Sequence, residues 1–400
     1  MIFMKPNRVL PVPDAQAAAH SARVAALIHG EMAACGGQIS FARYMELALH
    51  APGLGYYSAG AHKFGAAGDF VTAPELSALF SRCLARQCQQ VLRVLDKANI
   101  IEVGGGSGRM ACDVLSELEV LNCLPERYFI LELSADLRAR QRATLEQHIP
   151  HLLGRIEWLE GLPPPGFRGV ILANELLDAM PVHLFRIADQ GVPQEVFVAS
   201  QNGRWEWRMG PLSHEGLAVR VEAIHNELGQ QGLTLEAGYQ SEINLAAEAW
   251  LTSMGEVLEA GLLLIIDYGF PRREYYHPSR GSGTLMCHYR HRAHADPLLF
   301  PGLQDITAHV DFTALAEAGS HAGLAVRGYT TQASFLIACG LAGMAGAPDD
   351  TSRHLALAQQ INKLTAPSEM GELFKVMGFT KGLDDIPLLG FGLHDQRGRL

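Results

Sequence analysis

The chain has 400 residues, of which 48 % are apolar and 18 % charged, and a formal net charge of −10. That composition belongs to a soluble globular protein with a large core, divided as a prior into roughly two or three domains. The acidic balance argues against a partner gripped by its phosphates, so nucleic acid is not the expected ligand. Seven cysteines, at 35, 83, 88, 112, 123, 287 and 339, form no Cys-x-x-Cys pair. An odd number so spaced points to a reducing compartment, with neither a disulfide framework nor a metal site.

Residues 1–98 are expected to form a helical N-terminal region. Met1 to Ala17 holds no cleavable apolar core, and its sparse basic residues with Asp14 make a poor transit peptide. Phe335 to Ala347, the longest apolar stretch, is too short to span a bilayer, so no membrane insertion is expected. A cytoplasmic enzyme is the resulting expectation. Ala15 to Ala34 is rich in alanine and suits a helix. Ser40 is placed to cap a second helix carrying Phe41, Tyr44, Met45 and Leu49 at helical spacing. Two glycine-rich stretches follow, Pro52-Gly53-Leu54-Gly55-Tyr56-Tyr57 and Gly65 to Glu75. Connectors seldom carry Tyr-Tyr and Asp-Phe, so the pair is read as a lid or binding loop. From Leu76 to Leu95 the pattern is helical again.

Residues 99–178 alternate strands (99–103, 128–133, 155–159, 169–174) with helices, which implies a parallel sheet covered on both faces. Residues 179–260 break that rhythm. Val182 to Ile187 and Glu195 to Ala199 alternate like strands, Asn202-Gly203 signals a hairpin, and a helix is expected from about Ser241 to Glu259. This segment is taken as an insertion covering the ligand edge of the sheet. Residues 261–400 complete the sheet. Gly261 to Gly269 is a fifth strand and 270–310 a long polar loop. Asp311 caps a helix through Ala318, Leu324 to Tyr329 is a sixth strand, helices lie at 332–342 and 351–364, and Phe374 to Phe379 is the last strand.

The richest motif is Ile100-Ile101-Glu102-Val103-Gly104-Gly105-Gly106-Ser107-Gly108-Arg109. A buried strand ends in an acid and opens into a glycine turn, where backbone and a following helix N-terminus can approach a ligand. A dinucleotide fingerprint needs Gly-x-Gly-x-x-Gly/Ala, but Arg109 stands at its last position, and a P-loop needs Gly-Lys-Ser/Thr, which is absent. What remains, Glu-x-Gly-x-Gly-x-Gly, resembles the first motif of class I methyltransferases that use S-adenosylmethionine. Glu132 ends the next strand, 24 residues beyond Gly108. An acid about 20 residues past a glycine loop accepts hydrogen bonds from ribose hydroxyls in such folds.

The fourth strand ends Ala173-Asn174-Glu175-Leu176-Leu177-Asp178, the position that faces the transferable methyl in class I methyltransferases. Enzymes for adenine or amide nitrogen place Asn/Asp-Pro-Pro-Tyr/Phe here, and cytosine C5 enzymes use Pro-Cys; neither is present. Glu175 and Asp178 instead form a carboxylate pair that can grip a planar guanidinium. The bland alternative has Glu175 capping the next helix and Asp178 solvated.

Taken together, Gly-Tyr-Tyr at 55–57, Gly-Asp-Phe-Val-Thr-Ala-Pro-Glu at 68–75, Glu-Val-Gly-Gly-Gly-Ser-Gly at 102–108, Ala-Asn-Glu-Leu-Leu-Asp-Ala-Met-Pro-Val at 173–182, Asp-Tyr-Gly at 267–269 and Pro-Gly-Leu-Gln-Asp-Ile-Thr-Ala-His-Val-Asp-Phe at 301–312 resemble the bacterial and mitochondrial family of complex I assembly factor 7 and MidA. The likeness runs from about residue 25 to 390. It implies a class I methyltransferase (Rossmann-like) fold, a mostly parallel seven-stranded sheet with helices on both faces. It also implies S-adenosyl-L-methionine as cofactor. The mitochondrial member symmetrically dimethylates an arginine in a core subunit of respiratory complex I, so a protein substrate presenting an arginine is the implied partner.

On that basis Gly104, Gly106 and Gly108 approach the methionine moiety, and Glu102 orients the loop or the cofactor's amino group. Glu132 holds the ribose, Leu159 and Glu160 border the adenine, and Asn174 adjoins the cofactor. Glu175 and Asp178 clamp the acceptor. Tyr57, Asp69 and Glu75, with Tyr56, belong to a lid over the cofactor. His309 is either a proton acceptor titrating near neutrality or a structural histidine. Residues 272–294 hold five Arg and four His against one acid. That basic loop reads RNA, docks an acidic protein surface, or folds back on this chain's own carboxylates. Rival functions are an RNA or small-molecule methyltransferase, a non-catalytic assembly factor retaining the fold, and, more distantly, a nicotinamide dehydrogenase. A homodimer is compatible with the apolar helices.

Overall fold

The computed structural model describes residues 10–59, 72–344, 351–383 and 386–400. The first helix, Ala15–Ala34, begins where the Asp14 carboxylate accepts from the Ala17 N–H at 2.9 Å. It buries Val24, Ile28 and Met32, each one helical turn from the last. Ser40 caps Phe41–His50 by accepting from the Arg43 N–H at 3.2 Å. Both helices pack on the inner side of an antiparallel sheet of five strands, Gln38–Ser40, His183–Ile187, Pro193–Gln201, Arg204–Gly210 and Gln240–Ile243. The insertion and the N-terminal region therefore share one sheet and one core.

The hairpin at Asn202-Gly203 has both residues at positive φ, 53° and 73°, the twist that matches flanking strands. A helix not foreseen at 211–240, Glu215–Gln230, buries Leu217, Val221, Ile224 and Leu228. Their helical spacing was present in the sequence. The helix expected from Ser241 is Leu245–Val257, because Gln240–Ile243 is taken up as a strand beside His183–Ile187.

The central sheet carries the strands in the order Ala325–Thr331, Phe374–Lys381, Leu258–Phe270, Phe167–Asn174, Asn99–Val103, Tyr128–Leu131, Ile156–Leu159, with the short Val310–Asp311 added beside Leu258–Phe270. The strands from Leu258–Phe270 to Ile156–Leu159 are parallel, whereas Phe374–Lys381 runs against both of its neighbours. The sheet is thus mixed: of the seven strands in that order only Phe374–Lys381 is reversed, and the two-residue Val310–Asp311 makes an eighth strand that the seven-stranded expectation did not include. The reason is that Phe374–Lys381 enters as a wedge between two strands already formed in sequence, buried on both faces. Leu262 to Ile266 are fully buried, as a strand covered on both sides requires. Gly169 and Gly261 lie where a side chain cannot fit, since a Cβ would stand 1.9 Å and 1.8 Å from neighbouring backbone oxygens.

Residues 270–310, expected as a polar loop, contain a small three-stranded sheet, Met286–Tyr289, Arg292–His294 and Asp305–Thr307. Its strands are too short for apolar alternation to stand out. Among the described residues no helix is long and apolar enough to cross a membrane.

Candidate active site

A cavity of about 1150 Å³ opens where the parallel strands end. Open parallel sheets bind ligands at this edge. Gly104, Gly106 and Gly108 all have positive φ, at 73°, 51° and 84°. Gly104 and Gly106 line the cavity, and a Cβ on Gly106 would meet nothing within 4 Å, so the backbone there faces open space. Gly108 stands off the wall. Its Cβ would lie 2.9 Å from the Gln141 Cα, so it serves the packing of the helix it starts, Arg109–Val120.

Glu102 and Glu132 line the cavity from the ends of adjacent strands. The Tyr128 O–H donates to Glu102 at 2.6 Å, and burial pushes the Glu102 carboxyl up to about 8. Glu132 accepts from the Ser134 N–H at 2.9 Å and the Gln141 amide at 3.2 Å, while burial raises its carboxyl above the ordinary range. Gln141 escaped the sequence reading. It is fully buried, donates also to the Gly106 carbonyl at 3.1 Å, and accepts from the Trp158 indole at 2.9 Å. One amide thus ties the glycine loop, the Glu132 carboxylate and the third parallel strand together. No short-range pattern marks such a residue.

Leu159 and Glu160 are not on the cavity wall. Leu159 packs into the core, and Glu160, 83 % exposed, pairs with Arg138 at 3.0 Å. Gly161 and Leu162 line the cavity in their place, facing Leu133 and Leu137. Neither expected adenine-bordering residue thus reaches the cavity, because the strand ends at Leu159 and that side chain packs against the core. Among the lid residues, Asp69 lies outside the described residues. Glu75 lines the cavity and accepts from the Ser107 hydroxyl. Tyr56 is in the core, whereas Tyr57 reaches the cavity and donates to Asp305 at 2.7 Å. That bond puts Tyr57 beside the carboxylates.

Glu175 sits at φ 49°, a left-handed conformation that costs a non-glycine residue about 1 kcal/mol or more. The turn aims its side chain into the cavity, where it accepts from the Ala73 N–H at 3.4 Å and the Asn174 amide at 3.3 Å. The Asn174 carbonyl oxygen is buried with no partner among the described residues. Asp178 and Asp305 share the wall. Burial, then the Asp178 charge, pushes Glu175 up to about 8; burial pushes Asp178 up to about 6 against a hydrogen bond from Tyr268. Beneath them Asp267 accepts from the Leu177 and Asp178 N–H groups at 2.9 and 3.3 Å and so fixes the turn. No cation among the described residues pairs with Glu175 or Asp178. The bland alternative of a solvated Asp178 does not match its 5 % exposure.

His309 also faces the cavity, edge-on to Tyr268 and Phe270. Burial, then Arg280 and Lys375, pushes its imidazole down to about 4. Both effects favour the uncharged ring over the near-neutral titration expected of a free imidazole. Of the basic loop, Arg272 is buried against Glu227, Asp311 and Glu317, Arg290 pairs with Asp14, and Arg280 faces the cavity. Folding back on the chain's own carboxylates accounts for the first two.

These residues suit an adenosyl sulfonium ligand. The glycine backbone is open, two strand-end carboxylates face the space, and leucines flank its far side. Residues 83–330 match the family described as "Putative S-adenosyl-L-methionine-dependent methyltransferase". A protein from Burkholderia thailandensis, solved bound to S-adenosyl-homocysteine, is 44 % identical and superposes with a TM-score of 0.92 over 98 % of this chain and 100 % of that one. A curated relative from Danio rerio, named protein arginine methyltransferase NDUFAF7, mitochondrial, is 28 % identical over 85 % of this chain and 82 % of its own. The Drosophila melanogaster homologue is 29 % identical over 89 % and 85 %. Both names place those relatives in mitochondria, which overturns the cytoplasmic expectation. Reduced cysteines had suggested it, but they report a reducing environment and not one compartment. The fold, the glycine loop with its two strand-end acids, and the match over most of the chain lead to one conclusion: this protein belongs to the S-adenosyl-L-methionine-dependent methyltransferase family, with S-adenosylmethionine as its cofactor.

Proposed function

We propose that the chain methylates an arginine side chain of a protein partner. The observation that carries this reading is the carboxylate group formed by Glu175, Asp178 and Asp305, buried in the cofactor cavity, with Glu175 and Asp178 lacking a cation of the described chain. A guanidinium, planar and permanently charged, is the protein side chain that satisfies such a set. The curated relatives, named arginine methyltransferases, support it. A respiratory complex I subunit, or another assembly client, is the partner the family resemblance suggests.

In this reading Glu102, Gly104 and Gly106 receive the methionine end, Glu132 the ribose hydroxyls, and Leu133, Leu137 and Leu162 the base. The bound cofactor supplies a methyl group on a positively charged sulfur. Glu175 and Asp178 orient one guanidinium nitrogen towards it. As the new N–C bond forms, the S–C electron pair stays on sulfur, and the nitrogen's proton passes to a carboxylate. Burial raises the carboxyls of Glu175 and Asp178 and lowers the imidazole of His309, so the carboxylates and not the histidine are the proton acceptors of this reading. Arrival of the guanidinium also returns Glu175 to its charged form, because an opposite charge lowers a raised carboxyl. The test is Glu175→Gln, assayed with labelled cofactor and the proteins of a strain lacking this chain. Arginine methylation should fall by at least about a hundredfold with S-adenosyl-homocysteine affinity unchanged. Full activity in that variant would remove the clamp.

A further inference from the structure

Beyond the carboxylates the cavity wall continues through stacked rings. Tyr268 meets His309 at 5.2 Å, His309 meets Phe270 at 5.3 Å, and the Arg280 guanidinium lies 4.1 Å from the Phe270 ring centre. Arg280 projects from the short turn Pro278–Arg280 onto the cavity. It has no ion pair with any described residue. An arginine in a cavity rich in carboxylates would ordinarily fold onto one of them. Here the Phe270 face holds it away, at the distance of a cation–π contact. The His309 Nδ1, sealed from solvent, also has no partner among the described residues. Arg280 is therefore the charged side chain that this end of the cavity presents, since Lys375, 5.7 Å from the Phe270 ring, is not part of its lining.

The two ends are separate. The glycine loop joins the carboxylate end, through Ser107 on Glu75 and the Ala73 N–H on Glu175 at 3.4 Å. The rings then lead away from it to Arg280. A ligand lying along the wall would meet negative charge near the glycine loop and positive charge beyond it. An extended chain advances about 3.3–3.6 Å per residue, so about four residues cover the ring path.

We propose that Arg280 is an anion subsite that takes an Asp or Glu side chain of the substrate polypeptide, within about four residues of the arginine to be methylated. This rests on the arginine reading above. Phe270 fixes the plane of the guanidinium, which then presents two N–H groups to one carboxylate. His309 stands edge-on to Phe270 and so backs the ring that carries the guanidinium. The inference narrows the substrate class to arginines with an acidic neighbour.

The full chain, loaded with S-adenosyl-homocysteine, is titrated calorimetrically with three blocked pentapeptides: acetyl-Arg-Ala-Ala-Ala-Glu-amide, acetyl-Arg-Ala-Ala-Ala-Gln-amide and acetyl-Gln-Ala-Ala-Ala-Glu-amide. The first should bind about tenfold more tightly than the second, the size expected for one charge-assisted hydrogen-bonded pair. That gap should close in Arg280→Gln, persist in part in Arg280→Lys, and narrow at high salt. Equal affinities in the unaltered protein, a gap surviving in Arg280→Gln, or no binding of any peptide would overturn the subsite. If the third peptide binds as tightly as the first, the guanidinium clamp fails while the Arg280 comparison still stands. Each variant is also titrated with S-adenosyl-homocysteine alone. Unchanged affinity is expected; a tenfold loss in Arg280→Gln would make the carboxylate the cofactor's own and overturn the substrate assignment.

Discussion

Glu102→Gln should stabilise the cofactor-free protein at high pH and leave it unchanged in acid. Glu102 is 1 % exposed, and its carboxyl accepts from the Tyr128 hydroxyl at 2.6 Å. That carboxyl moves from an ordinary 4.5 to about 8 on folding, chiefly through burial. The folded state therefore holds its proton more tightly than the unfolded state. The stability this confers is present in acid and is lost as pH rises from about 4.5 towards 8. Glutamine keeps the shape and can still accept from Tyr128, but it has no proton to lose. Between pH 5 and pH 9 the difference between the two proteins should grow by about 4 kcal/mol, because each tenfold change in proton affinity is worth about 1.4 kcal/mol. For a chain of this length that is a gain of about 5 °C in melting temperature. Thermal melts followed by circular dichroism at pH 5, 7 and 9, without cofactor, read it directly. Melting curves of the two proteins that stay parallel across that range would refute the assignment of a buried, protonated Glu102.

Three further outcomes are expected. Gln141→Leu strands the Trp158 indole, the Gly106 carbonyl and Glu132, so stability should fall by about 2–4 kcal/mol and S-adenosyl-homocysteine affinity by about tenfold; calorimetry showing unchanged affinity would deny Gln141 its hold on the loop. Tyr57→Phe removes the hydroxyl that donates to Asp305 and should lower kcat about tenfold with cofactor-product affinity unchanged, whereas a loss confined to that affinity would return Tyr57 to the cofactor lid. Arg272→Ala leaves Asp311, Glu317 and Glu227 without their shared cation and should cost about 3–5 kcal/mol, a drop of about 4–6 °C in a melt. An unchanged melting temperature would show that water replaces the arginine.

Much of the frame was legible because its signals are local. Ser40 and Asp311 each cap a helix from one or two residues away, and Asn202-Gly203 sets a hairpin through its own φ angles. Glu102, Glu132, Glu175 and Asp178 were found because a strand end is where an apolar run stops. Other features have no local signature. The strands at 286–307 are three or four residues long, too short for alternation to stand out as a strand signal. Phe374–Lys381 could not be oriented, since its direction depends on both neighbours. Asp305 and Tyr57, separated by 248 positions, become partners only when the N-terminal helices share a core with the small sheet that carries Asp305.

Most of the elements, the glycine loop and the set of acids that end the parallel strands are written in the sequence itself, because propensity, capping and hydrophobic period act over a few residues. The tertiary structure alone decided how those acids behave. It gathered Glu175, Asp178 and Asp305 on one wall, set Gln141 behind the loop, and held Arg280 off on the Phe270 ring. It also put Glu102 and Glu175 near 8 and His309 near 4, since desolvation and neighbouring charge are properties of the place a side chain reaches and not of the residues beside it in the chain.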